Sequence, residues 1–435
     1  MAMHGILGVL PGGLRAWFVQ RRSLRFCRQY RFARTPAWAL AAEPAPWTTA
    51  PPNSVAGFNL IGYLKGEFGL AEAARAYARA ALTAGIPVSL QDVDLPTPHS
   101  HRDERLRDHL DATALEHEVD AFFVNPDNFA RAVSQGIVRA RPRRHLMGFW
   151  FWELPTVPAA WEAAIEQVDE ILVASQYVAD AFRARTTKRV TRIPYPLFRP
   201  TPSQLTRADF GLPADAFVFL VSFDFNSSIQ RKNPAAAIVA FKTAFPAGRD
   251  DVALVIKSSN GDRNAAGLAG LVALAGNDTR ILIRDDVLVA RHLHALQACC
   301  DAYVSLHRAE GLGLGLAECM SLGKPVIATR WSGNLEYMTD AVSLLVNARL
   351  VAVPADEYPH AEGQQWAEPD VAHAAVLMQR LADDRQAAAT MGEAAARHVE
   401  AVLAPARSAE ALSQRLRQIS DDNRDGVPSL RGAMG

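Results

Sequence analysis

The sequence predicts an α/β fold of parallel, doubly wound sheets arranged in two domains. Three observations carry this. The chain has 435 residues and is 49% hydrophobic, enough for two cores of ordinary size. A strand, glycine loop and helix follow one another twice, over 55–81 and again over 302–322. Several strands are continuous apolar runs, such as FVFLVSFDF at 217–225, which fits strands covered on both faces.

Bulk properties exclude some classes. Lys+Arg and Asp+Glu both total 46, so the net charge is zero, which argues against a general nucleic-acid binder. Cys27, Cys299, Cys300 and Cys319 form no CxxC pair and read as reduced, apolar core residues of a cytosolic protein. No apolar run reaches the length of a membrane span. At the N-terminus the positive charges follow the apolar stretch, unlike a secretory signal. The expected location is cytoplasmic.

Residues 1–52 read as a basic extension and a Pro-rich linker (Pro44, Pro46, Pro51, Pro52). Arg15, Arg21, Arg22, Arg25, Arg28, Arg31 and Arg34 face one acid, Glu43, with aromatic residues between them. The 15–34 segment either lies on the anionic inner face of a membrane, packs on the body, or docks on a partner.

The first domain, 53–198, opens with a strand at 55–63. Gly66 and Gly69 follow in a loop, then an alanine-rich helix with Leu70, Ala73, Ala74, Tyr77 and Ala81 on one face. Gly85 and Pro87 end that helix. Further strands are expected at 88–90, 120–125, 145–153, 169–175 and 190–196, with helices from Pro158 and over 176–185. Asp92 and Asp94 read as a turn, and Arg141 to Arg144 as a solvated surface. The strand over 145–153 ends in aromatic residues and Glu153. A carboxylate at a strand's carboxyl end is hard to explain by packing, so Glu153 is a candidate site residue.

The second domain, 199–404, begins with the strand at 217–225. Arg231 and Lys232 are expected to open a helix running through Phe245. Cations at a helix start oppose the dipole, and an anionic ligand would explain them. Lys257 ends a strand over 252–256. A strand over 280–283, the loop 285–287 and a helix over 288–298 lead to the strand at 302–306. His307 and Glu310 then precede Gly311, Leu312, Gly313, Leu314 and Gly315. A helix over 316–322 carries Glu318, and Gly323 and Pro325 end it. A strand over 326–329 leads to Ser332, Gly333 and Asn334, another small turn before a helix bearing Glu336. Both loops lie at strand carboxyl ends and present helix N-termini, which suits a diphosphate. Helices follow over 371–381 and 387–402. The last helix, 405–420, would cross back to the first domain, and 421–435 reads as a disordered tail.

Glu310-x7-Glu318, with His307 before it and Gly-Lys-Pro-Val-Ile-Ala after it, resembles the donor-sugar signature of the retaining glycosyltransferases of family 4. The resemblance covers about 54–420 and implies the GT-B fold, two Rossmann-like domains facing a central cleft. The N-terminal domain would face the acceptor and the C-terminal one would bind the nucleotide sugar. It implies that Lys232 binds the donor diphosphate, that Glu318 holds the ribose and that Glu310 holds the sugar. Gly66 and Gly69 would face the diphosphate and acceptor. His307, the amides from Gly311 to Leu314, and Ser332, Gly333 and Asn334 join the donor site. An arginine usual several residues before Lys232 is replaced by Asn226 or Ser227, leaving Arg231 or Lys257 to take its place. Glu153 stands near where many members have a histidine, beside the acceptor.

The implied activity is hexose transfer from a nucleotide diphosphate sugar to a glycan or lipid-linked hydroxyl in polysaccharide biosynthesis, with no metal or cofactor. The RKNP and SGN forms are similar to those of mannosyltransferases of polysaccharide assembly, which points to mannose. Two alternatives share the architecture. One is a phosphorylase or epimerase; the first lacks a pyridoxal-lysine signal here. The other is a degenerate transferase acting as a binding or scaffold module.

Overall fold

The computed structural model describes residues 49–93, 95, 97, 99, 101–110, 115–134 and 144–425, with side chains to 422. The arginine-rich segment, Cys27, Pro44, Pro46, Asp94, Arg141 to Arg143 and the last ten residues lie outside the described residues.

Two sheets of six parallel strands, flanked by helices, dominate the described residues. The first comprises β1 (Phe58–Gly62), β2 (Val88–Asp92), β3 (Val119–Phe123), β4 (His145–Phe149), β5 (Glu170–Val173) and β6 (Arg189–Arg192). Their order is β2-β1-β3-β4-β5-β6, and every pairing is parallel. The second comprises β7 (Phe217–Ser222), β8 (Val252–Ser258), β9 (Ile281–Asp285), β10 (Ala302–Ser305), β11 (Val326–Thr329) and β12 (Leu344–Val346). Its order, β12-β11-β10-β7-β8-β9, is again fully parallel. β1, β3 and β8 are buried at every position, as strands covered by helices on both faces must be. The strand order reverses between β1 and β3 and between β7 and β10. Open α/β sheets bind ligands outside the carboxyl ends of strands at such points.

Eight helices matter for the site: α1 (Gly69–Thr83), α2 (Gln176–Arg183), α3 (Ile229–Lys232), α4 (Pro234–Ala244), α5 (Ala290–Cys299), α6 (Leu314–Ser321), α7 (Arg385–Val402) and α8 (Pro405–Asp425). α6 starts two residues earlier than its apolar pattern suggests, because Gly313, at φ 85°, makes the left-handed turn into it. Gly323, at φ 77°, leaves the helix as expected of a glycine just past its end.

Five expectations are corrected. The strand expected over 145–153 stops at Phe149. Beyond it the Asn125 side chain takes over the pairing, donating to the Phe151 carbonyl at 3.0 Å and accepting from the Phe151 amide at 3.1 Å. Arg231 and Lys232 do not open the helix that runs through Ala244. They end the one-turn α3, Asn233 turns at φ 50°, and α4 starts at Pro234. The cations thus sit where the α3 dipole favours them. Arg144 is not solvated: its side chain, 13% exposed, pairs with buried Asp120 at 2.6 Å. Residues 421–425 belong to α8 rather than to a disordered tail. Residues 337–370, to which the sequence pattern assigned nothing, include an antiparallel hairpin, β13 (Ala348–Ala352) and β14 (Gln365–Pro369).

α8 returns to the first sheet. Leu412, Leu416 and Ile419 are buried in one apolar cluster with Phe58, Leu60 and Phe149. Arg415 Nε donates to both carboxylate oxygens of Glu170 on β5, at 3.0 and 2.8 Å, and both residues are buried.

Candidate functional site

A cavity of about 480 Å³ opens between the two switch points. From the second sheet it is lined by Ser222 at the end of β7 and Asp224 just after it, Lys232 at the end of α3, Lys257 on β8, Leu314, Gly315 and Glu318 on α6, and Tyr303 on β10. Leu288, Val289 and Ala290 form an apolar stretch, and His294 and Gln297 project from α5. From the first sheet come Gly69 at the start of α1, Glu72, Arg75 and the segment 102–105.

The two lysines differ in setting. Lys257 is buried, 6% exposed. Burial pushes its ammonium below the ordinary lysine value, and Asp286, Asp224 and Asp285 partly restore it. Lys232 is half-buried, and its Nζ donates to Glu310 Oε1 at 2.5 Å. Glu310 is itself buried, and Arg231 Nη1 stands 3.3 Å from its other oxygen. Burial alone would raise this carboxyl. Lys232, Arg231 and His307 outweigh it and hold Glu310 at about 2, so it is ionised throughout the physiological range.

Arg231 does not line the cavity. It is 4% exposed. Nη1 donates to the Ala309 carbonyl at 2.7 Å, and Nη2 to Ser227 Oγ at 2.8 Å. Burial would lower its pKa, but Glu310 and Glu153 overcome this and raise it. Glu153 Oε1 lies 3.7 Å from Arg231 Nη2, and Glu153 Oε2 accepts from the Tyr358 hydroxyl at 2.7 Å. Burial and the Glu153 carboxylate hold that hydroxyl well above the ordinary tyrosine range. Glu153, Arg231, Glu310 and Lys232 therefore form one chain of charges running from the interdomain wall to the cavity.

The glycine loop splits between two tasks. Gly315 lines the cavity at the N-terminus of α6, where the first amides of a helix lack intrahelical partners. Gly311 and Gly333 lie behind it. A Cβ on Gly333 would stand 2.0 Å from the Gly311 carbonyl oxygen, and one on Gly311 would stand 2.9 Å from the Trp152 carbonyl. These glycines let three backbone segments cross. Ser175 Oγ donates to the Gly311 carbonyl at 2.7 Å, joining the first sheet to this crossing. Leu312 is buried in the core, and Gly313 packs under Leu316 and Tyr337. Ser332, held at φ 79°, accepts from the Glu310 amide at 2.8 Å. His307 and Asn334 are wholly buried, and their side chains meet at 3.2 Å, with Asn334 Nδ2 donating to the Thr329 carbonyl. Burial lowers the His307 pKa. The structure thus brings Gly69, Lys232, Lys257, Leu314 and Glu318 to the cavity. It sets His307, Gly311, Leu312, Gly313, Ser332, Gly333 and Asn334 behind it as supports. Gly66 is buried beside α1, and its carbonyl accepts from Arg75 Nη1 at 2.6 Å.

Several residues at the site had no sequence reading. Arg75, 2% exposed, ties the loop before α1 together through the carbonyls of Leu64 and Gly66 and through Glu72 at 2.7 Å. Arg105 joins Glu72 to Asp103. Burial opposes ionisation of Glu72, but Arg75 and Arg105 dominate and hold its carboxyl far below the usual range. Arg75 lies inside an alanine-rich helix, a charged residue within a buried pattern, which is the one available signal. No group of residues with the makings of a metal site occurs among the described residues. None of their helices is long and apolar enough to cross a membrane.

Comparison with known proteins agrees with the fold. Residues 225–359 fit the model of the family described as glycosyl transferases group 1. No curated protein sequence matches the chain. Sucrose-phosphate synthase from Thermosynechococcus elongatus is a structural neighbour at 17% identity and TM-score 0.60, covering 84% of this chain and 100% of its own. Anabaena HepE in complex with UDP and glucose follows at 16% identity, TM-score 0.58, 83% and 100%. A glycosyltransferase from Rickettsia africae gives 11%, 0.60, 85% and 100%. At such identities the likeness is one of fold, and that fold is GT-B. The chain carries a glycosyl transferases group 1 domain, the domain of glycosyltransferase enzymes, over 225–359.

Proposed function

We propose that the chain is a retaining glycosyltransferase that moves a hexose from a nucleotide diphosphate sugar to a hydroxyl of a glycan or lipid-linked acceptor in polysaccharide biosynthesis. One observation carries the proposal: Lys232, Lys257, Glu318 and the N-terminus of α6 line a single cavity between the two switch points. The lysines and helix amides stabilise charge as the diphosphate departs. Glu318 accepts from ribose hydroxyls. Glu310, bonded to Lys232, holds the sugar beside the same phosphate. The acceptor hydroxyl enters from the α1 side and attacks the face the diphosphate vacates, with a phosphate oxygen taking its proton. Glu153, tied to Tyr358 and near Arg231, orders the wall behind the sugar. The lysines and helix ends supply the charge a divalent cation would, so transfer is expected to persist in EDTA.

Mannose is the favoured hexose. HepE binds UDP and glucose, so the test panel holds GDP-mannose, UDP-glucose and UDP-GlcNAc. Purified protein is expected to be stabilised thermally by one of these and to hydrolyse it slowly. Absence of both effects across the panel would favour the scaffold alternative, which the burial of Arg231 away from the cavity also supports. The 15–34 segment is proposed as the route to peripheral contact with an anionic membrane face.

A further inference from the structure

Gln297 is 1% exposed, yet it lines the cavity. Its Nε2 donates to Glu318 Oε2 at 3.1 Å. Its Oε1 is buried with no hydrogen-bond partner in the protein. One turn earlier on α5, His294 lines the same cavity with its Nε2 3.8 Å from Glu318 Oε1, and its Nδ1 is also buried and unpartnered. Buried polar atoms are almost always paired, so orphan polar atoms on two side chains that line a cavity ask for partners from a ligand.

The donor's chemistry follows from the neighbours. A carboxylate only accepts hydrogen bonds, and the free atom of Gln297 is a carbonyl oxygen, which also only accepts. Two acceptors side by side repel an anion and match two adjacent hydroxyls. Their place on the helices fits as well. Glu318 is four residues after Leu314 and three after Gly315, so it shares their face of α6, one turn below the amides that would meet phosphate. The apolar stretch Leu288 to Ala290 leads into α5 and lines the same cavity. A polyol between a diphosphate and a base stacked on an apolar wall is a ribose.

We propose that Gln297 is a specificity-determining residue that, with Glu318, reads the vicinal hydroxyls of the donor's ribose and rejects deoxyribose. His294 supports the Glu318 carboxylate from its other side. This rests on the nucleotide-sugar reading of the cavity and adds a side chain to it.

The test is calorimetric titration of the full chain with UDP, GDP and their 2′-deoxy counterparts. Wild type is expected to bind one ribonucleotide about tenfold more tightly than its deoxy form, the worth of one such hydrogen bond. In Gln297→Leu and the closer-shaped Gln297→Met, ribonucleotide binding falls about tenfold while deoxynucleotide binding changes little, so the ratio collapses toward one. The ratio is taken within each protein, so partial unfolding of a variant does not alter it. Equal binding of ribo and deoxy forms by wild type, or equal loss of both in the variants, overturns the proposal and leaves the donor site intact. Failure of wild type to bind either diphosphate overturns the donor reading and the proposal with it.

Discussion

Lys232 and Glu310 concentrate the consequences at the scale of single residues. Lys232→Ala removes a cation from the departing diphosphate and should lower transfer by about 100-fold or more, measured as initial rate at saturating donor. Glu310 also makes a stability prediction. Its folded-state pKa, about 2, lies below its ordinary 4.5. A depressed carboxyl contributes its full stability above its unfolded value and loses it as pH falls toward the folded one. The gap in thermal midpoint between wild type and Glu310→Gln should therefore be widest near neutrality and close between pH 4.5 and about 2. A gap that stays constant through that interval would refute it. The spacing of Glu310 and Glu318 and the cations at 231–232 drew attention in the chain, and the structure brings Glu318 and Lys232 to one cavity, although Lys232 ends α3 rather than opening a helix. Gln297 was not legible, since one polar residue within an apolar helix marks no partner. Its meaning depends on α6 approaching from elsewhere.

At the scale of elements, the hairpin of β13 and β14 is the largest feature the pattern did not reveal. β13 is mostly exposed and belongs to neither large sheet, so it lacks the apolar runs that marked the other strands. Its tip makes the crossing between domains. Tyr358 bonds Glu153, His360 Nε2 stands 3.1 Å from Asp127, and Gln364 Nε2 donates to the Thr156 carbonyl at 2.7 Å. These contacts hold the second domain against the first, so Gln364→Ala should lower the urea midpoint by the equivalent of about 1–3 kcal/mol, two backbone groups losing partners at once. The glycine crossing behind the cavity is less forgiving. Gly333→Ala places a methyl 2.0 Å from a backbone oxygen, and should destabilise by about 1–3 kcal/mol or more. Those glycines were read as ligand-facing. Sequence shows that a backbone must come close to something, but not whether that something is a phosphate or another strand of the same chain.

At the scale of the molecule, the parallel order of both sheets followed from apolar runs separated by helices, and the extent of α8 did not. Its last turn, 421–425, is wholly polar and reads as tail. Arg415→Ala leaves the Glu170 carboxylate buried with only His145 Nε2, 3.8 Å away, beside it among the described residues, and should destabilise by about 3–5 kcal/mol in chemical denaturation, with the first domain's signal affected most. The same helix sets the order of events on the ribosome. Leu412, Leu416 and Ile419 complete a core begun by Phe58 and Leu60, yet they are made after the whole of the second sheet. Domains synthesised early normally fold early. Here the first-made half keeps a greasy flank uncovered until the second domain and α8 have followed it. Such a nascent chain is a natural client for chaperones.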